Sequence, residues 1–208
     1  MSSVSSTIIK DIEAMQKAGS QTSMGYFYFD FRDASKQHRH DLLTSLLFQL
    51  SARSVPRCDI LSSLFVAHDS GARQPTDQEL TRCLEEMLTL PDERPIYLII
   101  DALDECPDTS GIPSPREGVL RLVTKLVELH LPNLHICVTS RPLYDIRNSV
   151  GCFTSLRMCL DNQSGQRNDI VDYVTSIVYS NSEQIMSGWG KEEKDLVIET
   201  LSKRACGM

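Results

Sequence analysis

Apolar and polar positions follow two different periods along the chain, and each period predicts a regular element. Stripes at helical spacing, such as Ile8, Ile12 and Met15, alternate with short continuous apolar runs that are typical of buried strands. The pattern predicts helices over residues 4–18, 37–53, 57–68, 77–89, 116–130, 167–180 and 190–205, and strands over residues 26–31, 95–101, 134–139 and 153–159.

This alternation of strands and helices determines the fold class that we expect. Parallel strands need long crossover connections, which helices provide, and those crossovers are right-handed. We therefore expect an α/β fold of three layers, with a mainly parallel sheet covered by helices on both faces. A loop rich in Pro, Ser and Gly separates the strand at 95–101 from the next helix.

The strand at 95–101 ends in three carboxylates within five positions, Asp101, Asp104 and Glu105. Ligands of open α/β sheets bind just beyond the carboxyl ends of the strands. Carboxylates gathered there repel one another unless a cation lies among them, and Mg²⁺ carried by a nucleotide fits that description. A solvated acidic turn is the alternative, and the three acids alone do not decide between the two.

The neighbouring strands end in polar residues that should meet these acids at the same edge of the sheet. Asp30 follows the first strand, and Thr139, Ser140 and Arg141 follow the strand at 134–139. A carboxylate for a metal, a hydroxyl group and a guanidinium group together suit a polyphosphate with bound Mg²⁺. For Arg141 alone, pairing with a local carboxylate is the simpler interpretation. Together with Asp101, Asp104 and Glu105, the phosphate-binding interpretation is the better one.

Composition and charge exclude several other classes of protein. The 208 residues carry a net charge of −7, which argues against nucleic acid as a partner because such binding depends on Lys and Arg. No apolar run approaches the ~20 residues that span a bilayer, and the N-terminus has no features of a secretory signal, so we expect a cytoplasmic protein without a membrane partner. The seven cysteines include no Cys-x-x-Cys pair, which argues against a disulfide framework or a zinc site.

Three segments resemble a known family. The segment 98–106 (LIIDALDEC) resembles the extended Walker B motif of NACHT domains, which are P-loop NTPases of the STAND class. The segment 136–142 (ICVTSRP) is similar to their sensor 1 strand. The segment 26–33 (YFYFDFRD), with the leucine-rich helix after it, resembles fungal NACHT proteins of the nephrocystin-like N-terminal type.

This resemblance implies a cofactor and a role for each residue at the edge of the sheet. It implies Mg²⁺ with ATP or GTP, and a metal site at Asp101. Asp104 and Glu105 would be the catalytic residues, because they would position or activate the attacking water. Ser140 and Arg141 would bind the cofactor, with Arg141 at the terminal phosphate.

The chain departs from the family at the phosphate-binding loop. The motif GxxxxGK[ST] is absent from the sequence, and the single Gly-Lys pair, Gly190-Lys191, is followed by Glu192. The helix that begins near Ser3 resembles the helix after that loop, and this alignment puts Met1 at the lysine position and Ser2 at the hydroxyl position that binds the cofactor. We therefore expect a chain truncated at both ends, without the first strand of the family fold. Residues 1–160 would form a partial NTPase core, and residues 161–208 a helical segment that leads to a winged helix in relatives.

Two main hypotheses for function remain open. The first is a fragment of a NACHT-type signal-transduction NTPase module with weak or absent hydrolysis, since the missing amides and lysine supply most phosphate contacts. The second is a non-enzymatic platform that associates with protein partners, either copies of itself or intact NACHT relatives. A different Mg²⁺-dependent enzyme is a third hypothesis, but the chain offers no separate nucleophile or general acid for it.

Overall fold

The computed structural model describes residues 3–91, 94–108, 111, 113–158, 164–179 and 189–204. Its strands are β1 (Ser23–Tyr28), β2 (Ile96–Asp101) and β3 (Leu134–Val138). Its α-helices are α1 (Ser3–Lys17), α2 (Arg39–Ser51), α3 (Val55–Ala67), α4 (Asp77–Leu88), α5 (Pro115–Glu128), α6 (Tyr144–Val150), α7 (Ser164–Tyr179) and α8 (Lys191–Arg204). Short 3₁₀ turns cover Ala34–Lys36, Asp69–Gly71 and Leu103–Glu105.

The three strands form one parallel sheet in the order β1-β2-β3, with β2 in the middle. Tyr28 lies beside Asp101 in the register of β1 and β2, and Ile100 lies beside Val138 in the register of β2 and β3. All three strands therefore end at the same edge of the sheet. The predicted α/β fold with a parallel sheet between helices is confirmed.

The main core lies on one face of the sheet, where α2, α4 and α5 cover it. Leu98 and Ile100 point to this face and are fully buried among the leucines of these helices. The close packing of α2 favours glycine at position 25 of β1, because a Cβ atom at this position would lie 2.9 Å from Leu46 of α2. The opposite face has a smaller core, in which Ile9 and Ile12 of α1 pack against Ile99.

The predicted strand at 153–159 is wrong for residues 153–158, which form no strand, and residue 159 lies outside the described residues. A strand needs a neighbour for its backbone groups, and these residues have none in the described sheet. Their large apolar side chains, Phe153, Leu156 and Met158, are exposed. After β3 the chain forms the short helix α6. The apolar pattern did not predict this helix.

The first strand also differs from its prediction. It begins at Ser23 and ends at Tyr28, because the Ser23 amide donates to the Pro95 carbonyl at 2.9 Å and extends the pairing with β2. Asp30 begins a turn, in which the Asp33 amide donates to the Asp30 carbonyl at 3.1 Å.

The chain divides into two compact units, residues 1–154 and 155–208. In the second unit α7 packs against α8, where the Tyr179 hydroxyl donates to Asp195 at 2.8 Å and Lys194 lies over the Tyr179 ring. The predicted boundary between residues 160 and 161 stays a prediction, because residues 159–163 lie outside the described part of the chain. None of the helices searched in that part has the length and apolar character of a membrane span.

Candidate functional site

Asp101 is the centre of the candidate site. It is the last residue of the middle strand, and it is only 2% exposed. Its Oδ1 atom accepts a hydrogen bond from the Ser5 hydroxyl of α1 at 2.6 Å and another from the Thr139 hydroxyl after β3 at 2.6 Å. Short hydroxyl–carboxylate bonds of this kind are charge-assisted, and they compensate for the burial of the acid.

The backbone around Asp101 turns sharply so that the chain can leave the sheet. Ala102 has a left-handed conformation, with φ 54° and ψ 45°, which costs about 1–2 kcal/mol for a residue with a Cβ atom. Its amide donates to the Thr139 hydroxyl at 3.0 Å, and the Leu103 amide donates to the Thr139 carbonyl at 3.0 Å. Thr139 therefore holds both the carboxylate of Asp101 and the turn that follows it.

Asp104 and Arg141 contact each other across the edge of the sheet. The Asp104 carboxylate accepts from the Arg141 amide at 3.0 Å and lies 3.3 Å from the Arg141 Nε atom. The Arg141 side chain is 81% exposed, whereas that of Asp104 is 11% exposed. Ser140, which was predicted to bind the cofactor, is exposed beside this pair. The structure therefore shows the local pairing that was the simpler interpretation of Arg141.

Glu105 contacts the loop after β1. Its carboxylate accepts from the Phe31 amide at 3.3 Å. The Asp30 carboxylate in the same loop accepts two hydrogen bonds from the Arg32 guanidinium and one from the Arg32 amide, each at 2.9 Å. These hydrogen bonds lower the pKa of Asp30 to about 2. We expected the acids after β2 to repel one another in the absence of a cation. Instead Asp101, Asp104 and Glu105 each have a partner of their own.

Arg116 is an important residue of this site that the sequence analysis missed. It lies in the first turn of α5, and its side chain is 12% exposed. Its guanidinium donates to the carbonyls of Asp104 and Cys106 at 2.9 and 3.0 Å and to the Asp145 carboxylate at 3.2 Å. An arginine in the first turn of a helix opposes the helix dipole. That unfavourable position was the signal in the sequence that Arg116 has specific partners.

The surroundings of two cysteines near the site disfavour their thiolate forms. Burial raises the pKa of the Cys137 thiol, and the negative charge of Asp101 adds to this shift. Burial also raises the pKa of Cys106 to about 12. Both thiols stay protonated near neutral pH, and the thiolate is the reactive and ligating form.

The structure brings Asp101, Asp104, Glu105, Ser140 and Arg141 to one edge of the sheet. Ser2 lies outside the described residues, and the hydroxyl that reaches Asp101 from α1 belongs to Ser5. Within the described residues there is no group of three or more His, Cys, Asp or Glu side chains that could hold a metal ion.

Comparison with known proteins agrees with the nephrocystin-like resemblance of the sequence. The family model of the nephrocystin 3 N-terminal domain matches residues 2–141. This range includes all three described strands and the residues at their carboxyl ends. The chain has no significant match among curated proteins or among solved structures. Because the family model covers more than half of the sequence, the chain belongs to the nephrocystin 3 N-terminal domain family.

Proposed function

We propose that this chain is a nucleotide-binding module of the NACHT type, which takes ATP or GTP with Mg²⁺ and hydrolyses it weakly or not at all. In this proposal it acts in the cytoplasm as part of a signal-transduction switch. The observation that carries the proposal is the buried carboxylate of Asp101 at the end of the middle strand, between the hydroxyl groups of Ser5 and Thr139. Such a position beyond a parallel strand is where α/β sheets bind their ligands.

The donors around Asp101 suit a Mg²⁺ ion that arrives with a nucleotide. Mg²⁺ prefers oxygen ligands and is usually bound by one or two carboxylates together with phosphate oxygens and water. Asp101 supplies one carboxylate, and the Ser5 and Thr139 hydroxyl groups donate to it and stabilise its charged form. The described residues offer no larger cluster of ligands. These residues therefore fit a metal ion that obtains its other ligands from the phosphate groups of a nucleotide.

The residues fit the phosphate groups less well than the metal. Without GxxxxGK[ST] in the sequence, the backbone amides and the lysine of a P-loop are missing. In the proposal Arg141 and Ser140, both exposed at the end of β3, contact the terminal phosphate. Two side chains replace only part of a P-loop, and we therefore expect a dissociation constant in the high micromolar range or weaker.

The proposed catalytic roles of Asp104 and Glu105 explain why hydrolysis should be slow. Bound Mg²⁺ would neutralise charge on the phosphates. Asp104 and Glu105 would orient the attacking water, but in this structure their carboxylates accept from the amides of Arg141 and Phe31. Each acid must leave its partner before it can take part. That requirement adds to the cost of the reaction.

A non-enzymatic interaction platform is the second candidate, and the same contacts favour it. The acidic turn 103–106 is fixed by Arg116, Arg141 and Phe31, as expected for a structural connection between the strand ends. In that case the module would bind copies of itself or intact NACHT relatives without any need for a nucleotide.

Calorimetric titration with Mg-ATP and Mg-GTP separates the two candidates. We expect binding weaker than about 100 µM, because a loss of ~4 kcal/mol of phosphate contacts corresponds to a thousandfold in affinity. Arg141→Ala should weaken binding further. The matched control is Arg121→Ala, an exposed arginine of α5 that pairs with Glu117 and should leave binding unchanged.

Submicromolar binding would contradict the claim that the phosphate contacts are incomplete. No heat of binding with either nucleotide at millimolar concentration would exclude the nucleotide-binding module and favour the interaction platform.

A further inference from the structure

The two outer edges of the sheet differ in whether their backbone groups have hydrogen-bond partners. At the β1 edge the side chain of Gln49 on α2 takes the place of a neighbouring strand. Its Oε1 atom accepts from the Tyr26 amide at 3.0 Å, and its Nε2 atom donates to the Tyr26 carbonyl at 2.8 Å. The Ser45 hydroxyl accepts from the same Nε2 atom at 2.9 Å. The middle of the β1 edge is therefore closed to another chain.

The β3 edge has no such closure among the described residues. The Asn133 carbonyl accepts from Ile96 and the Thr139 amide donates to Ile100, so residues 133, 135, 137 and 139 direct their backbone groups to β2. The backbone amides and carbonyls of Ile136 and Val138 point away from β2, and the described sheet contains no strand on that side. Four of the five residues of β3 are half-buried and His135 is exposed, whereas β2 is buried at every position except Tyr97.

The sequence of β3 does not protect this edge. Natural edge strands usually carry a charged residue, a proline or a bulge that prevents pairing with another chain. The five residues of β3, LHICV, include no Lys, Arg, Asp, Glu or Pro. Two such strands can therefore lie side by side without placing like charges opposite each other, which would be destabilising.

We propose that β3 pairs in antiparallel fashion with β3 of a second copy of this chain, with the two-fold axis at Ile136. In this register Ile136 faces Ile136 of the other copy, and Val138 faces Leu134. The outward amides and carbonyls then form about four hydrogen bonds, and the two sheets become one continuous sheet.

The proposed dimer should be weak. The Leu134 amide already donates to the Leu131 carbonyl at 3.2 Å and is lost to the interface. A pair of five-residue strands also buries less surface than the ~1,200 Å² at the lower limit of a standard stable interface. We therefore expect a dimer that forms only at micromolar concentrations or above.

Sedimentation velocity of the full chain from about 5 to 500 µM, together with hydrogen exchange at both ends of this range, tests the proposal. We expect the sedimentation coefficient to rise with concentration and the amides of Ile136 and Val138 to become protected. The Cys137 amide, which points to β2, is an internal reference and should be protected at every concentration.

Two substitutions make the test specific to the β3 edge. Val138→Pro removes an outward amide that the monomer does not use, and it should abolish the dimer. Its matched control, Val138→Ala, keeps the amide and should still dimerise. If Val138→Pro does not fold, His135→Lys places a charge at the exposed position of the edge and should weaken the dimer at least tenfold, whereas Ser62→Lys on the exposed side of α3 should not.

A monomer at every concentration would overturn the proposal. A dimer that Val138→Pro or His135→Lys leaves intact, or one that forms without protection of Ile136 and Val138, would overturn it as well.

Discussion

At the scale of single residues, the site depends on the hydrogen bonds that stabilise one buried carboxylate. Asp101 is held by a hydroxyl group from α1 and another from the end of β3, so a covering helix and a neighbouring strand meet at this side chain. The Thr139 hydroxyl has a second task, since it also accepts from the Ala102 amide. Its loss should affect both the acid and the turn.

The first residue-scale prediction concerns Thr139. Thr139→Ala should lower the free energy of unfolding by about 2 kcal/mol, because it removes one hydrogen bond from a buried charge and leaves the Ala102 amide without its acceptor. Thr139→Ser is the matched control, since it keeps the hydroxyl group, and it should cost less than about 1 kcal/mol. Urea unfolding measures both. Equal losses in the two variants would show that the methyl group, rather than the hydroxyl group, is what stabilises this position.

At the scale of elements, helix α4 begins with a capping box. The Thr76 hydroxyl accepts from the Glu79 amide at 3.3 Å, and the Glu79 carboxylate accepts from the Thr76 amide at 2.7 Å. The hydrogen bond from the Thr76 amide, followed by the one from the Thr76 hydroxyl and by the nearby His68 ring, lowers the pKa of Glu79 from 4.5 to about 2. A depressed pKa means that the ionised form favours the folded state. This contribution is complete above about pH 4.5 and is lost as the pH falls toward 2.

Glu79→Gln tests this pH dependence. The variant keeps an acceptor but does not titrate, so the stability difference between the parent chain and the variant should shrink as the pH falls from 5 to 2.5. Glu86→Gln, at an exposed position of the same helix, is the control and should show no such change. Urea unfolding at a series of pH values gives the differences. A constant difference for Glu79→Gln across this range would show that Glu79 has the same pKa in the folded and unfolded states.

The C-terminal end of α5 offers a stabilising substitution. His130 follows the helix with φ 51°, the left-handed conformation that glycine adopts at this position without steric cost. His130→Gly should raise the free energy of unfolding by about 0.5–1 kcal/mol and the melting temperature by roughly 2 °C. His130→Ala keeps the Cβ atom and should not stabilise the chain. Equal melting temperatures for the Gly and Ala variants would contradict the assignment of strain to this position.

The elements also show what the sequence could and could not predict. Periodicity identified β2 and α5 well, because a short apolar run rich in Ile favours a buried strand and a regular stripe of leucines favours a helix. It failed at residues 153–158, where apolar residues of strand type have no neighbouring strand in the described sheet. Arg116 and Ser5 were missed for another reason. Their roles depend on partners that are distant in the sequence, and periodicity carries no information about such contacts.

At the scale of the whole molecule, the first compact unit, residues 1–154, contains the entire three-stranded sheet and the site at its carboxyl edge. Its two faces differ strongly, since three helices bury the main core on one face and α1 covers part of the other. Ser5 lies in the first turn of α1 and donates to Asp101, so the start of this helix is in direct contact with the site. A ligand at Asp101 should therefore also change how α1 packs.

The central proposal is that a metal–nucleotide complex binds at Asp101. Amide NMR spectra recorded with Mn-ATP in place of Mg-ATP test it most directly, because Mn²⁺ broadens the signals of nearby nuclei. We predict selective broadening of Ala102, Thr139 and Ser5 at millimolar Mn-ATP, its loss in Asp101→Asn, and much less broadening with Mn²⁺ alone. Unchanged signals for these three residues, or broadening centred elsewhere on the chain, would contradict the account.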